Sequence, residues 1–133
     1  MARFLLDTQI LIWALTDRKR ISTKAMDILL DSSNELLVSQ ISLYEITIKQ
    51  SVGKLDDFSA STDEIIAQIQ NDDFRLFLIQ NHHIANYSKI PLIGDHRDPF
   101  DRLLLATALS EQIPIISADE KFQYYTNLIT VIW

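Results

Sequence analysis

The sequence predicts an α/β domain in which a mostly parallel sheet carries helices on both faces. Short apolar runs that suit buried strands recur at 4–7, 36–40, 75–79, 113–117 and 128–133, with segments of helical spacing between them. Punctuation is sparse, 2 Gly and 3 Pro, which suits short strand–helix connections rather than an all-β fold. Acids stand where strands hand over to helices, or beside such points: Asp7, Glu45, Asp98, Asp101 and Asp119. In an open α/β sheet that edge is where ligands bind.

The elements follow in order. Residues 4–7 form a buried strand, and Thr8 offers a hydroxyl to cap a helix over 9–16 that turns Ile12 and Trp13 to the core. A second helix spans 21–33, with Ile21, Ala25, Ile28 and Leu29 on one side. LLVSQ (36–40) is the next strand. Ser42 opens Ser-Leu-Tyr-Glu, a capping-box pattern that puts Glu45 in the first turn of a helix ending before Gly53 as its C′ residue. A helix over 62–72, a strand at 75–79 and a short helix at 82–90, stopped by Pro91, come next. Asp98-Pro99 is a helix start with Pro at the first helical position, and Phe100, Leu103, Leu104 and Ala108 give that helix a buried face as far as about Gln112. Strands at 113–117 and 128–133 close the chain, separated by a loop or short helix around 120–127. With 133 residues, 47% of them hydrophobic, and no repeat or linker, the chain reads as a single domain over 1–133.

Composition excludes several functions. No cysteine is present, which removes a disulfide scaffold, a thiol nucleophile and a Cys-ligated centre, and is compatible with a reducing cytoplasm. The N-terminal apolar run is broken by Asp7 and Gln9, with no small-residue cleavage site after it, and no stretch approaches the roughly 18 apolar residues of a membrane helix. A soluble, cytoplasmic protein without a membrane partner is expected. The net charge of −6 argues against a surface that coats nucleic acid. Bound metal would neutralise part of that charge, and Arg97, Arg102, Lys49, Lys54 and Lys121 lie in or just after the acid-bearing segments, where they either make the rim positive or form solvated helix faces.

Carboxylates forced together repel and raise one another's pKa, whereas a hard divalent cation such as Mg²⁺ or Mn²⁺ takes oxygen ligands of this kind. The acids are therefore candidate metal ligands, and a metal so held polarises a phosphoryl oxygen and activates water without a side-chain nucleophile. Plainer roles are available to each: Glu45 as a capping-box partner, Asp98 as an N-cap, Asp101 against the helix dipole, Asp119 at the start of a helical turn. Asp7 resists this, because an acid closing a run as apolar as FLL needs a partner. Thr8, Ser42 and Ser117 either orient the carboxylates or cap helices. His82, His83 and His96 match no metal-ligand spacing and suit surface or helix-end roles, with His96 and Arg97 best placed to touch a phosphate. Trp13, Tyr44, Phe100 and Phe122 either stack on bases or fill core; Trp133 closes the sheet.

FLLDTQILIW, SQISLYEITIK, HRDPFDRLLLATAL and ISADEKF, in that order and nearly end to end, resemble a PIN-domain protein of the kind found as the toxin of VapBC-type toxin–antitoxin pairs. The resemblance implies a three-layer α/β/α sandwich and a Mg²⁺- or Mn²⁺-dependent endoribonuclease restrained by a cognate antitoxin. Carried over by position, the family's acids fall on Asp7, Glu45, Asp101 and Asp119 as catalytic and metal-binding residues, with Asp98 an additional ligand or a helix cap. Spacing leaves open whether Asp98 or Asp101 points inward; the alignment over DRLLLATA favours Asp101. Such relatives usually carry His two positions after the first Asp, where this chain has Gln9.

Two other classes compete. A receiver-like Mg-binding domain expects paired acids after the first strand and a lysine after the last, and this chain has neither. A non-catalytic PIN-like binding module, its acids purely structural, remains open. Apolar Leu30, Ile46 and Ile48 on the helices over 21–33 and 42–52 suggest more apolar surface than one sheet covers, hence a homodimer or an antitoxin groove.

Overall fold

The computed structural model describes residues 2–133. Five strands, β1 (Arg3–Leu6), β2 (Glu35–Ser39), β3 (Arg75–Phe77), β4 (Ile115–Ile116) and β5 (Val131–Ile132), form one sheet in the order β3-β2-β1-β4-β5. Every neighbouring pair is parallel. The helices are α1 (Thr8–Thr16), α2 (Thr23–Leu30), α3 (Gln40–Ser51), α4 (Thr62–Asn71), α5 (Asn81–Ala85) and α6 (Pro99–Glu111), with 3₁₀ turns at Arg18–Arg20, Asn86–Lys89 and Glu120–Tyr125.

The apolar runs read as strands because both faces of the sheet are covered. Leu5, Leu37 and Ile115 pack with Leu104, Leu105, Ala108, Phe122 and Tyr125. Their neighbours Leu6, Val38 and Ile116 point the other way, into Ile10, Leu11, Ile46, Ile65 and Ile69. Two cores, one on each side of the sheet, make the expected three-layer α/β/α sandwich, and full burial of each such Leu or Ile stabilises it by about 1.5–3 kcal/mol. The chain builds outward from β1 to β2 and β3, then returns to add β4 and β5 on the other side. The order therefore reverses beside β1, and a crevice opens above the carboxyl ends of β1 and β4.

Several boundaries differ from expectation, each for a local reason. Thr8 does not cap α1: Asp7 holds the N-cap position without a side-chain cap bond, and the Thr8 hydroxyl meets Ser42 Oγ at 2.8 Å. Helix α2 starts at Thr23, with Ser22 accepting from the Ala25 amide, and stops at Leu30 because Asp31 binds the Ser33 amide and hydroxyl in a turn. Helix α3 starts directly from β2, with Ser39 accepting from the Ile41 amide, so Ser42 and Glu45 form no capping box and Glu45 lies in the second turn. The reciprocal box sits at Ser61 and Glu64 on α4. Gly53 terminates α3 as expected: its φ is +74°, its amide reaches Gln50 O, and Lys54 N reaches Lys49 O, a Schellman pair. Ile46 and Phe122 are fully buried core residues, whereas Leu30 is exposed.

Candidate functional site

The five predicted acids line one cleft. Asp7, Glu45, Asp98, Asp101 and Asp119, with Thr8, Gln9, Trp13, Lys49 and Ala118, enclose about 330 Å³ at the crevice beside β1. Asp7 follows β1, Glu45 projects from α3, Asp98 and Asp101 come from the start of α6, and Asp119 follows β4. Residues 112 positions apart in sequence (Asp7 and Asp119) meet because β1 and β4 are hydrogen-bonded neighbours.

Asp7 and Glu45 are the buried pair, at 5% and 6% exposure. Asp7 Oδ2 accepts from Ser117 Oγ at 2.8 Å, and the same hydroxyl accepts from the Asp119 amide at 3.1 Å. Burial, then the charge of Asp101, pushes the Asp7 carboxyl up to about 7; the Ser117 bond opposes the shift and Glu45 adds to it. Asp101, half-buried, is also pushed up to about 7, by burial first and then by Asp98, Glu45 and Asp119. Glu45 Oε2 lies 3.1 Å from Lys49 Nζ, but its Oε1 is buried with no hydrogen-bond partner. A buried carboxylate oxygen left unpaired, among carboxyls that resist ionising together, is an arrangement that a bound cation would satisfy.

Asp98 and Asp101 take different positions. Asp98 is exposed, and its Oδ1 accepts from the amides of Phe100 and Asp101 at 2.8 and 3.1 Å, the expected N-cap. Asp101 sits one turn further in, beside Asp7. Asp119 is exposed at the rim, its Oδ1 accepting from the Lys121 amide.

Of the two readings open for the basic residues, the positive rim is not what lines the cleft. Among the described residues lining the cleft, Lys49 is the only cation. Lys121 faces Asp95 at 3.5 Å, and Arg97 donates to Gly94 O. Arg102 is buried, donating to Ile90 O, Pro91 O and Tyr87 Oη, so it fastens the loop before α6 to that helix. His96 does not present itself to a phosphate either. It is 2% exposed, with Nε2 3.1 Å from Asp101 Oδ2 and Nδ1 2.7 Å from Tyr125 Oη, and burial lowers its pKa. Its place five residues before Asp101, ahead of a capped helix start, is a signal the sequence carries; the part of Tyr125 left none.

His82, His83 and Glu111 bring their ligand-type atoms within 4.8 Å of one another. The Gln80 amide donates to His83 Nδ1, so the proton of the neutral ring is on Nε2 and points at Glu111 Oε2, 2.9 Å away. That proton occupies the lone pair a metal would need, and Arg3 approaches the other carboxylate oxygen at 3.5 Å. The trio is a hydrogen-bonded clamp between α5 and α6, as the helix-end reading of the histidines expects. No helix among the described residues is long and apolar enough to cross a membrane.

A family model described as PIN domain matches residues 4–128. No curated protein sequence matches the chain. Among solved structures, DNA-bound VapBC from Salmonella typhimurium superposes with a TM-score of 0.67 at 15% identity, over 99% of this chain and 98% of that one. VapBC-1 from nontypeable Haemophilus influenzae gives 0.65 at 22% identity, over 98% and 96%. VapBC2 from Rickettsia felis, bound to a DNA fragment from the promoter, gives 0.64 at 20%, over 98% and 97%. At these identities the shared property is the fold.

Proposed function

The chain belongs to the PIN-domain family, and from that premise we propose that it is a divalent-metal-dependent endoribonuclease, the toxin of a toxin–antitoxin pair. The observation that carries this reading is the orphaned Glu45 Oε1, 6% exposed, in a cleft whose Asp7 and Asp101 carboxyls are both pushed up to about 7. Such a donor set fits a hard cation, because Mg²⁺ and Mn²⁺ prefer carboxylate oxygens and offset their mutual repulsion.

Asp7 and Asp101 would hold the ion directly, Asp119 directly or through water, and Glu45 as a ligand or as the group that orients and deprotonates the attacking water. When bound, Mg²⁺ or Mn²⁺ supplies polarisation of the phosphoryl oxygen and of water. The chain's own groups do the rest. Ser117 holds Asp7 by its Oδ2, and Asp98 caps α6 so that Asp101 starts from a fixed backbone. Lys49, paired with Glu45 at 3.1 Å, is the one positive charge among the described residues lining the cleft and would face a backbone phosphate. Gln9, the position where relatives with the DPFDR segment usually carry His, lines the same cleft with an amide. Attack of water in line with the leaving oxygen would leave a 5′-phosphate and a 3′-hydroxyl.

The solved structures it resembles are VapBC complexes, which supports a cognate antitoxin as partner. Exposed Leu30, Tyr44 and Val52 offer apolar surface for an antitoxin or a second copy in a homodimer. The test is cleavage of a mixed single-stranded RNA with Mn²⁺, comparing the protein with Asp7→Asn and with chelator. Cleavage should vanish in both. Cleavage indifferent to both, or absent from the unsubstituted protein, would favour a non-catalytic binding module.

A further inference from the structure

We propose that His96 is a positioning residue for Asp101: braced from behind by Tyr125, it fixes the carboxylate through Oδ2 and leaves Oδ1 for a divalent cation. The proposal rests on the metal-site reading above and deepens it.

The geometry is that of a relay of buried hydrogen bonds. Tyr125 is fully buried and His96 is 2% exposed, so neither exchanges its bonds with bulk water. A metal-binding Asp101 is a carboxylate and can only accept, so His96 Nε2 carries the proton and donates across the 3.1 Å gap to Oδ2. Nδ1 is then the acceptor of a hydrogen bond that the Tyr125 hydroxyl donates across 2.7 Å. Both ring nitrogens are thus committed, and the ring is further held by Phe122 and Tyr125, with centroids 6.1 and 5.4 Å away. Among the described residues no group donates to Asp101 Oδ1.

The alternatives for this histidine are weaker. A phosphate-binding or acid–base role needs a ring nitrogen free to reach the cleft, and His96 has none. A purely structural role would be met by any isosteric apolar side chain, yet here the ring's polar atoms join a core tyrosine to an acid of the cleft. Partners that orient a metal ligand are worth about 10- to 100-fold in metal affinity or activity.

The experiment measures Mn²⁺ affinity directly, by electron paramagnetic resonance of free Mn²⁺, with thermal melts of each protein. His96→Leu is expected to weaken Mn²⁺ binding about 10- to 100-fold; His96→Gln, whose amide can still donate to Asp101, is expected to recover most of the loss. Tyr125→Phe, which keeps the ring and removes only the hydroxyl, should lower affinity several-fold and carries the test if His96→Leu does not fold. Unchanged affinity in Tyr125→Phe, or an equal loss in the Leu and Gln variants, overturns the proposal. Asp7→Asn in the same assay separates the two readings. If it abolishes binding, the His96 results bear on positioning alone, and if the unsubstituted protein binds no Mn²⁺, the metal site itself fails and the proposal with it.

Discussion

The Ser117 hydroxyl donates to Asp7 Oδ2 at 2.8 Å although the two residues are 110 positions apart. It also accepts the Asp119 amide, so one side chain ties the acid after β1 to the acid after β4. Ser117→Ala removes the bond that holds the Asp7 carboxyl down, so that carboxyl moves further above its ordinary range. Mn²⁺ affinity near neutral pH should fall about tenfold, and stability by about 1 kcal/mol. A Mn²⁺ titration and a urea melt read the two effects.

Two carboxyls raised to about 7 make the metal-free protein sensitive to alkali. A group whose pKa is raised on folding binds its proton more tightly in the native state, so the stability it contributes is full below 3.8 and is lost as pH rises towards 7. The chelated protein should therefore melt higher near pH 5 than near pH 8, by on the order of 5 °C. Asp7→Asn should shrink that difference while abolishing activity. Saturating Mn²⁺ should shrink it too, because cation and proton compete for the same oxygens.

Arg102 is a buried cation whose partners are carbonyls and a phenol rather than a carboxylate. Its fork reaches Ile90 O and Pro91 O together, and its guanidinium lies 5.0 Å from the Tyr87 ring centroid. Arg102→Ala strands both carbonyls and should cost about 3 kcal/mol in chemical denaturation. Arg102→Lys should recover less than half, since a point charge cannot serve two carbonyls in one plane.

Glu111 gives the opposite pH sign. Its hydrogen bonds with His83 and then His82 hold its carboxyl below the ordinary 4.5. Stability from a lowered carboxyl is present above the unfolded value and is lost as pH falls through the folded one. Glu111→Gln should therefore destabilise the protein by about 1–2 kcal/mol near pH 7. The gap to the unsubstituted protein should narrow below 4.5, as denaturation curves at both pH values would report.

Much of the fold was legible because its signals are local. Continuous apolar runs marked strands covered on both faces, and Asp98-Pro99 marked the start of α6 to the residue. The candidate acids were legible for a related reason: Asp7 closes a buried run, and sheet topology does the gathering. What misled was side-chain chemistry decided at a distance. Ser42 and Thr8 both look like caps, yet each finds the other across two helices, and a capping-box spacing says nothing of where β2 ends. Arg102 reads as a solvated charge because nothing nearby in sequence announces the carbonyls of Ile90 and Pro91. His96 reads as a neighbour of the acids that faces a phosphate, because its true partner Tyr125 arrives 29 positions later.

The reversal of strand order beside β1 also sets a timetable. As the polypeptide leaves the ribosome, the segment up to Phe77 can assemble β1, β2 and β3 with Asp7 and Glu45, but the opposite wall of the crevice does not yet exist. Leu5 and Leu6 gain their second neighbours only when Ile115 and Ile116 emerge, and Asp119 follows three residues later. The cleft of a growing chain is therefore incomplete until β4 and Asp119 have been made.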